Sequence, residues 1–272
     1  MSCPVDLHIH SSCSDGIFSP EEIVGIAIQK EMRMIAISDH DSIVGIKIAR
    51  MRAGDNISIV SAVEFNTEVG KEDVHILGYG FDEDNIELIN VILKRRDDRN
   101  IRAKKMVERL NALNINDISF DDLREIARDG AIGRPHVAKA LVMKGHFDSI
   151  GDAFSKYLAK GRPVYVPRAP FTPVEAIDII HESGGIAVLA HPGKLGDPNR
   201  IINMLIKNGL DGIEVYHTDH SVNVTKRMYD FARQHNLFMT VGSDSHGPMI
   251  RNVEIGSVNA PDDVIEKIIN RF

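Results

Sequence analysis

Short, unbroken apolar runs recur near the start of the chain and again near its end. Residues 5–9, 34–37, 57–63 and 74–77 are such runs in the first part. Each is short enough to be a strand that is buried on both faces. Between them lie stretches with helical periodicity. Ser19-Pro20-Glu21-Glu22 predicts a helix start, with a capping serine, proline at the first position and acids in the first turn. Asp41-Ser42 predicts another helix, running to about Ala53. Strands apolar throughout and separated by helices predict a parallel sheet covered on both faces.

The pattern changes from about Asn85 to Lys160, where the chain is charged and helix-periodic and no strand is predicted. A long amphipathic helix begins in Lys94-Arg95-Arg96-Asp97-Asp98-Arg99, with Ile101, Met106, Val107 and Leu110 on one side. Further helices are predicted near Ser119, Pro135 and Ser149. Alternation resumes with a helix from Thr172-Pro173-Val174-Glu175, then strands at 186–190, 213–216 and 238–241. A final strand at 253–258 and a helix from Pro261-Asp262-Asp263 complete the pattern. The expected class is α/β, with residues 1–92 and 171–272 forming one barrel-like unit and residues 93–170 a helical insertion. The two flanks hold about seven or eight βα units, enough to close a barrel, and barrel enzymes place their chemistry at the C-terminal ends of strands.

Composition narrows the function. The chain has 272 residues and a net charge of −7, which argues against coating of nucleic acid and against duplex DNA binding. No apolar run approaches the roughly 20 residues of a membrane helix, and the opening residues lack the basic-then-apolar pattern of a secretory signal. A cytoplasmic location is expected. Two cysteines, Cys3 and Cys13, make no disulfide framework.

The 12 histidines change the picture more, because several fall at strand ends with acids beside them. Asp6-Leu7-His8-Ile9-His10 places two imidazoles on one face of a strand. Ser14-Asp15-Gly16 follows. Ser38-Asp39-His40-Asp41, Val63-Glu64-Phe65, His75, Ala190-His191-Pro192 and Gly242-Ser243-Asp244-Ser245-His246 repeat the theme, and Glu214 and His217 lie at the end of another strand. Imidazole nitrogens and carboxylates together suit divalent manganese, iron or zinc, and Glu64 is placed to bridge two ions. A lone histidine is more often a surface or satisfied core residue, and His146, His181, His220 and His235, in helical or loop stretches, are read as surface residues. Asp6 and Asp39 are candidates to orient imidazoles from behind. The Lys94–Arg102 charge run reads as a solvated helix face.

These motifs, in this order, resemble the PHP (polymerase and histidinol phosphatase) family. The resemblance implies a distorted (β/α)7 barrel. It also implies three metal positions: His8, His10, Glu64 and Asp244; Glu64, His75 and His191; and Asp15, His40 and His246. Two or three divalent ions are expected, manganese first, with iron or zinc as alternatives. Asp15, and an insertion carrying Gly133-Arg134-Pro135-His136, resemble the subgroup that converts nucleoside 3′,5′-bisphosphates to 5′-monophosphates or trims short RNA from the 5′ end. Hydrolysis by a hydroxide held between two ions is implied. Asp15 and His40, beside the third ion, and Arg134 and His136 are the expected catalytic participants. Arg134, His136, Arg168 and His217 are the expected substrate contacts, a planar guanidinium being able to grip a phosphate with two bonds. The alternatives are a histidinol phosphate phosphatase, a metal-dependent amidohydrolase, and a metal-stabilised module without activity.

Overall fold

A computed structural model describes residues 3–70, 72–128, 130–248 and 250–272. The first part contains β1 (Val5–Ile9), α1 (Pro20–Gln29), β2 (Met34–Ile37), α2 (Val44–Ala53), β3 (Ser58–Val60), β4 (Ala62–Val69) and β5 (Glu72–Tyr79). Helices α3 (Ile86–Asn111), α4 (Phe120–Ala127), α5 (Arg134–Met143) and α6 (Ile150–Ala153) follow, with a π-helical turn at Phe154–Leu158. The last part runs α7 (Pro173–Glu182), β6 (Ile186–Leu189), α8 (Pro198–Ile206), β7 (Gly212–His217), α9 (Val222–Gln234), β8 (Phe238–Gly242) and α10 (Asp262–Arg271). Among the described residues no helix is long and apolar enough to cross a membrane.

Local chemistry explains the helix starts. Ser19, Ser119 and Thr172 each accept a backbone N–H three residues on, and Glu22, Asp122 and Glu175 bond back to the cap's own N–H. These reciprocal pairs satisfy donors that a helix otherwise leaves orphaned. Helix α2 departs from the expectation. It begins at Val44 rather than Asp41, because Asp41 takes a left-handed backbone (φ 49°) and turns away from the helix.

The strands form two sheets, β1-β2-β3 and β4-β5-β6-β7-β8. The first is parallel, but β5 is antiparallel to both β4 and β6. The all-parallel expectation is therefore corrected. Strands β4 and β5 are joined at Gly70 (φ 64°) by a connection far too short for a crossover. The apolar run 57–63 divides at Ser61, where the chain passes from β3 to β4. Residues 253–258 form no strand. Their backbone is held instead by the Asp6 carboxylate, which accepts from Gly256 N at 2.8 Å, and by Cys3 N donating to Gly256 O at 2.9 Å.

The sheets meet at two seams. Beside β1, Asp244 N donates to His8 O at 2.7 Å and His10 N to Ser245 O at 2.9 Å. Beside β2, Glu64 N donates to Asp39 O at 3.2 Å and Asp41 N to Glu64 O at 3.1 Å. Both seams lie in the segments that carry the histidine and acid motifs.

Among the described residues, 86–166 contain only helices and loops and pack around an apolar cluster of their own, including Met106, Leu110, Leu123, Val137, Leu141 and Leu158. The charge run on α3 is not a solvated face throughout. Arg95 and Arg102 are only 5% and 7% exposed. Arg95 donates to Asn66 O on β4 at 3.1 Å and lies 4.7 Å over the Phe171 ring. Arg99 grips Asp41 through Nε at 2.7 Å and Nη2 at 2.6 Å. Burial pushes Asp41 up, but Arg99 and Arg95 hold its carboxyl below the usual range.

Asp41→Asn should keep the left-handed backbone yet leave two guanidiniums without counter-charge, destabilising the fold by about 3–5 kcal/mol at pH 7. A depressed carboxyl stabilises above its unfolded value and loses that contribution as pH falls, here below about pH 4. Denaturant unfolding at pH 7 and pH 3 checks both points. The variant should be the weaker protein at pH 7 and show the smaller acid loss; equal stability at pH 7 contradicts this.

Candidate metal centre and its cavity

Strand β1 is buried along its whole length, so its alternation brings His8 and His10 to one interior point. Their Nε2 atoms lie 3.2 Å apart. Asp244 Oδ1 is 3.5 Å from the first and 3.4 Å from the second. The Glu64 carboxylate is 3.5 Å from His8 Nε2 and 3.4 Å from His10 Nε2. Around the same carboxylate, His75 Nδ1 stands 2.9 Å and His191 Nε2 3.2 Å from Oε1. Asp15 lies 3.3 Å from His246 Nε2, 3.9 Å from His40 Nε2 and 3.7 Å from His10 Nδ1. All nine residues expected to ligate metal are thus gathered in one cluster. His40 also reaches Glu64, with Nδ1 2.7 Å from Oε2.

The donors fit divalent ions. His10 Nδ1, His40 Nδ1, Glu64 Oε2 and His75 Nε2 are buried without a hydrogen-bond partner. The 2.7 Å approach of His40 to Glu64 is out of hydrogen-bond alignment, so crowding there does not satisfy either atom. Orphaned buried polar atoms are costly. Burial and the neighbouring His246 and His40 push His10 down to about 3, and burial takes His191 down to about 4. Those imidazoles are neutral, with lone pairs available. Burial opposes ionisation of Glu64, yet His40, His75 and His8 hold it well below the carboxylate range. Ionised acids beside neutral imidazoles form a ligand set for divalent ions.

The orienting partners differ from those expected. Asp6 and Asp39 bind loops and do not touch imidazoles. Asp6 accepts from Ser243 N at 2.9 Å and His8 N at 3.2 Å. Asp39 accepts from Ser11 N at 2.8 Å, Ser11 Oγ at 2.6 Å and Ser14 Oγ at 2.5 Å, which shapes the loop carrying Asp15. Glu214 holds the imidazole. Its Oε1 is 3.0 Å from His8 Nδ1, and its Oε2 accepts from His191 N at 2.7 Å. Burial would raise Glu214, but His8 and His217 hold it down to about 2. A Cβ at Gly242 would collide with His8 Cβ and Glu214 Oε1, so only glycine fits between them. A lone acid in the apolar run Ile213-Glu214-Val215 was the signal for this role. Lys194 Nζ, 3.1 Å from Asp244 Oδ2, and Arg251, paired with the same oxygen, turn Oδ1 toward His8 and His10. His191 (φ 31°) and Asp244 (φ 55°) both hold left-handed backbone, a strain that such networks sustain at sites.

The cluster opens into a cavity of about 1080 Å³ whose lining also includes Arg99, Arg102, Arg134 and Arg168 from the helical segment and the chain leaving it. Arg134 sits between the Phe154 and Tyr165 rings, 5.6 and 5.8 Å from their centroids. Arg168 pairs with Asp73 at 3.2 Å. His136 is buried, its Nδ1 accepting from Gly133 N at 2.9 Å at the start of α5, and it does not line the cavity. His217 is buried beside the cluster, with Nδ1 accepting from Asp219 N at 3.0 Å and Nε2 3.5 Å from Asp244 Oδ2. His220 is not a surface residue either. It is half-buried, with Nδ1 donating to Val215 O at 2.9 Å and Nε2 accepting from Gly193 N at 3.0 Å.

Glu214→Gln should weaken divalent-metal binding by about 10–100-fold, because His8 loses its orienting carboxylate. Competition with a metallochromic chelator measures it, and circular dichroism checks the fold. An unchanged affinity contradicts the orienting role.

Comparison with known proteins agrees with this site. The family model for the PHP domain matches residues 6–160. The chain is 35% identical to the 5′-3′ exoribonuclease Rnm of Escherichia coli over 250 residues, covering 89% of this chain and 85% of that protein. It is 32% identical to a 3′,5′-nucleoside bisphosphate phosphatase of Chromobacterium violaceum, covering 90% and 87%. Among solved structures, a Bifidobacterium adolescentis chain assigned as a metal-dependent phosphoesterase superposes with a TM-score of 0.89 at 29% identity, covering 98% of this chain and 96% of that one. The cluster of acids and imidazoles, the matching family model and these relatives lead to one conclusion: the chain belongs to the PHP domain family.

Proposed function

We propose that this protein is a metal-dependent phosphoesterase that cleaves the 3′-phosphoryl ester of a nucleotide, either a nucleoside 3′,5′-bisphosphate or the first residue of a short RNA. The observation that carries the reading is Glu64. This one buried carboxylate is shared by His8 and His10 on one side and by His75 and His191 on the other, at the floor of a cavity lined by arginines. The E. coli and C. violaceum relatives, by their names, act on RNA and on nucleoside bisphosphates, and they supply the substrate class.

His8, His10, Glu64 and Asp244 would hold one ion, and Glu64, His75 and His191 a second. Asp15, His40 and His246 would hold a third, with manganese the first choice for this mix of nitrogen and oxygen donors. Bound there, the ions would lower the pKa of water and neutralise the phosphoryl oxygens. The chain's own residues do the rest. Glu214 and Gly242 fix the His8 ring, while Lys194 and Arg251 aim Asp244. Arg134 and Arg168 line the path by which an anion approaches the cluster. Water adds to phosphorus, the O3′–P bond breaks, and a proton passes to O3′. From a bisphosphate this yields a 5′-monophosphate and phosphate. From RNA it yields a 5′-mononucleotide and a shortened chain that carries a new 5′-phosphate.

Residues 93–170 act as a cap over this site, and their separate apolar cluster supports that division. The seams between the two sheets support reading the flanks as the distorted barrel.

With manganese present, the protein should release AMP and phosphate from adenosine 3′,5′-bisphosphate, and chelator should stop it. His8→Ala and Asp244→Ala should each lower turnover about a thousandfold, the loss of roughly 4 kcal/mol of charge stabilisation, while keeping native circular dichroism. Turnover of histidinol phosphate alone would overturn the nucleotide reading. Losses that merely track unfolding would overturn the site.

A further inference from the structure

Asn66 lies on β4 two residues beyond Glu64, on the same face of the strand, and is the cross-strand partner of His75 on β5. Two residues along a strand span roughly 6.6 Å, so the Asn66 amide stands one step from the carboxylate at the centre of the cluster. The residue is only 3% exposed and forms part of the cavity wall. Its main chain is fixed, because its carbonyl accepts from Arg95 Nη2 at 3.1 Å. Its side chain is left over. Among the described residues neither end of the amide makes a hydrogen bond, and Nδ2 is buried without a partner.

A structural account explains little of this. Asparagine is a poor strand residue, and a buried amide with nothing to bond costs more than an apolar side chain of its size. Leucine would fill the place without that cost. The next residue shows the usual arrangement, with Thr67 Oγ1 donating to Val74 O. Nor do the ions account for it. They answer for the orphaned atoms of His10, His40, Glu64 and His75, whereas an amide nitrogen carries hydrogens and donates. The chemistry of the amide narrows the choice further. It offers two N–H donors and a carbonyl acceptor. A phosphate oxygen only accepts, and a metal ion takes only lone pairs, but a hydroxyl group does both. In a nucleotide whose O3′–P bond breaks at the cluster, the hydroxyl beside that bond is the 2′-OH, on the neighbouring carbon.

We propose that Asn66 is a specificity-determining residue that binds the 2′-hydroxyl of the substrate's ribose, its amide donating to that group and accepting from it. This rests on the function proposed above and deepens it, because it makes the substrate a ribonucleotide in preference to a deoxyribonucleotide. A nucleoside 3′,5′-bisphosphate and the first residue of an RNA both present this hydroxyl, and it is the group by which a site tells RNA from DNA. With a deoxyribose in place the amide stays unpaired, and a site built to bond a hydroxyl rejects the analogue that lacks it.

The test compares kcat/KM, with manganese present, for adenosine 3′,5′-bisphosphate and its 2′-deoxy form, and for a 5′-phosphorylated adenylate trimer of RNA and of DNA. Wild type should favour the ribose member at least ~10-fold in each pair that it turns over. Asn66→Leu keeps the size and removes the amide, and should shrink that preference at least ~5-fold, the scale of one net hydrogen bond. A wild type indifferent to the 2′-hydroxyl overturns the proposal, as does a variant that keeps the preference. A variant that loses both members equally also overturns it, since a structural role or a disturbance of the ions acts on both. Should Asn66→Leu fail to fold, Asn66→Ala is judged by the same ratio. If metal-loaded wild type turns over no nucleotide, the function proposed above fails, and calorimetry of AMP against 2′-deoxy-AMP decides the contact. AMP binding that is the tighter of the two and weakened at least ~5-fold in the variant supports it; equal binding, or binding of neither, overturns it.

Discussion

Much of this molecule is organised around one buried negative charge. Glu64 is about 1% exposed and lies within 3.5 Å of five imidazoles, those of His8, His10, His40, His75 and His191. A carboxylate removed from water needs counter-charge, and His8 and His40, whose imidazoles burial opposes but the neighbouring acids push up, supply part of it. The arrangement suits a divalent cation, which carboxylate and imidazole donors together can hold. Glu64 also sits on a seam, because its own N–H and C=O bond to Asp39 and Asp41 and so join β4 to the segment after β2. The join between the two sheets and the gathering of the imidazoles therefore use the same residue.

Around that charge, further side chains fix the imidazoles and acids of the cluster in layers. Glu214 uses both carboxylate oxygens, one on the His8 ring and one on the His191 backbone, and thereby links β1 to the segment that follows β6. Asp39 ties down the loop that presents Asp15 by binding two serines. Arg99 and Arg95 reach from the helical segment to Asp41, next in sequence to His40. That contact ties the helical segment to the residue next to His40.

The sequence exposed the clustered imidazoles and acids more readily than the side chains that position them. His-x-His on a wholly apolar strand and acids at strand ends are unusual enough to be read directly, and Ser19, Ser119 and Thr172 announced their helices by capping chemistry. The strand direction of β5 was harder. Its apolar alternation looks the same parallel or antiparallel, and only the turn at Gly70 distinguishes the two. The 253–258 run has strand-like composition, yet Gly256 N bonds the Asp6 side chain, a partner 250 residues away that no local pattern encodes. Arg95 and Arg102 were hidden for the same reason. A charged helical stretch resembles a solvated face until tertiary packing buries one side of it. Glu214 was visible as an acid in an apolar strand, but its role depends on two partners from distant segments.

The most direct test of the account is anomalous diffraction from crystals grown with manganese, recorded near the manganese edge. The account predicts at least two peaks, both within about 2.0–2.4 Å of a Glu64 carboxylate oxygen, one also within reach of His8 and His10 and the other of His75 and His191. Peaks confined to other parts of the surface, or a Glu64 without an ion beside it, would contradict the central claim that this buried carboxylate exists to be shared between metals.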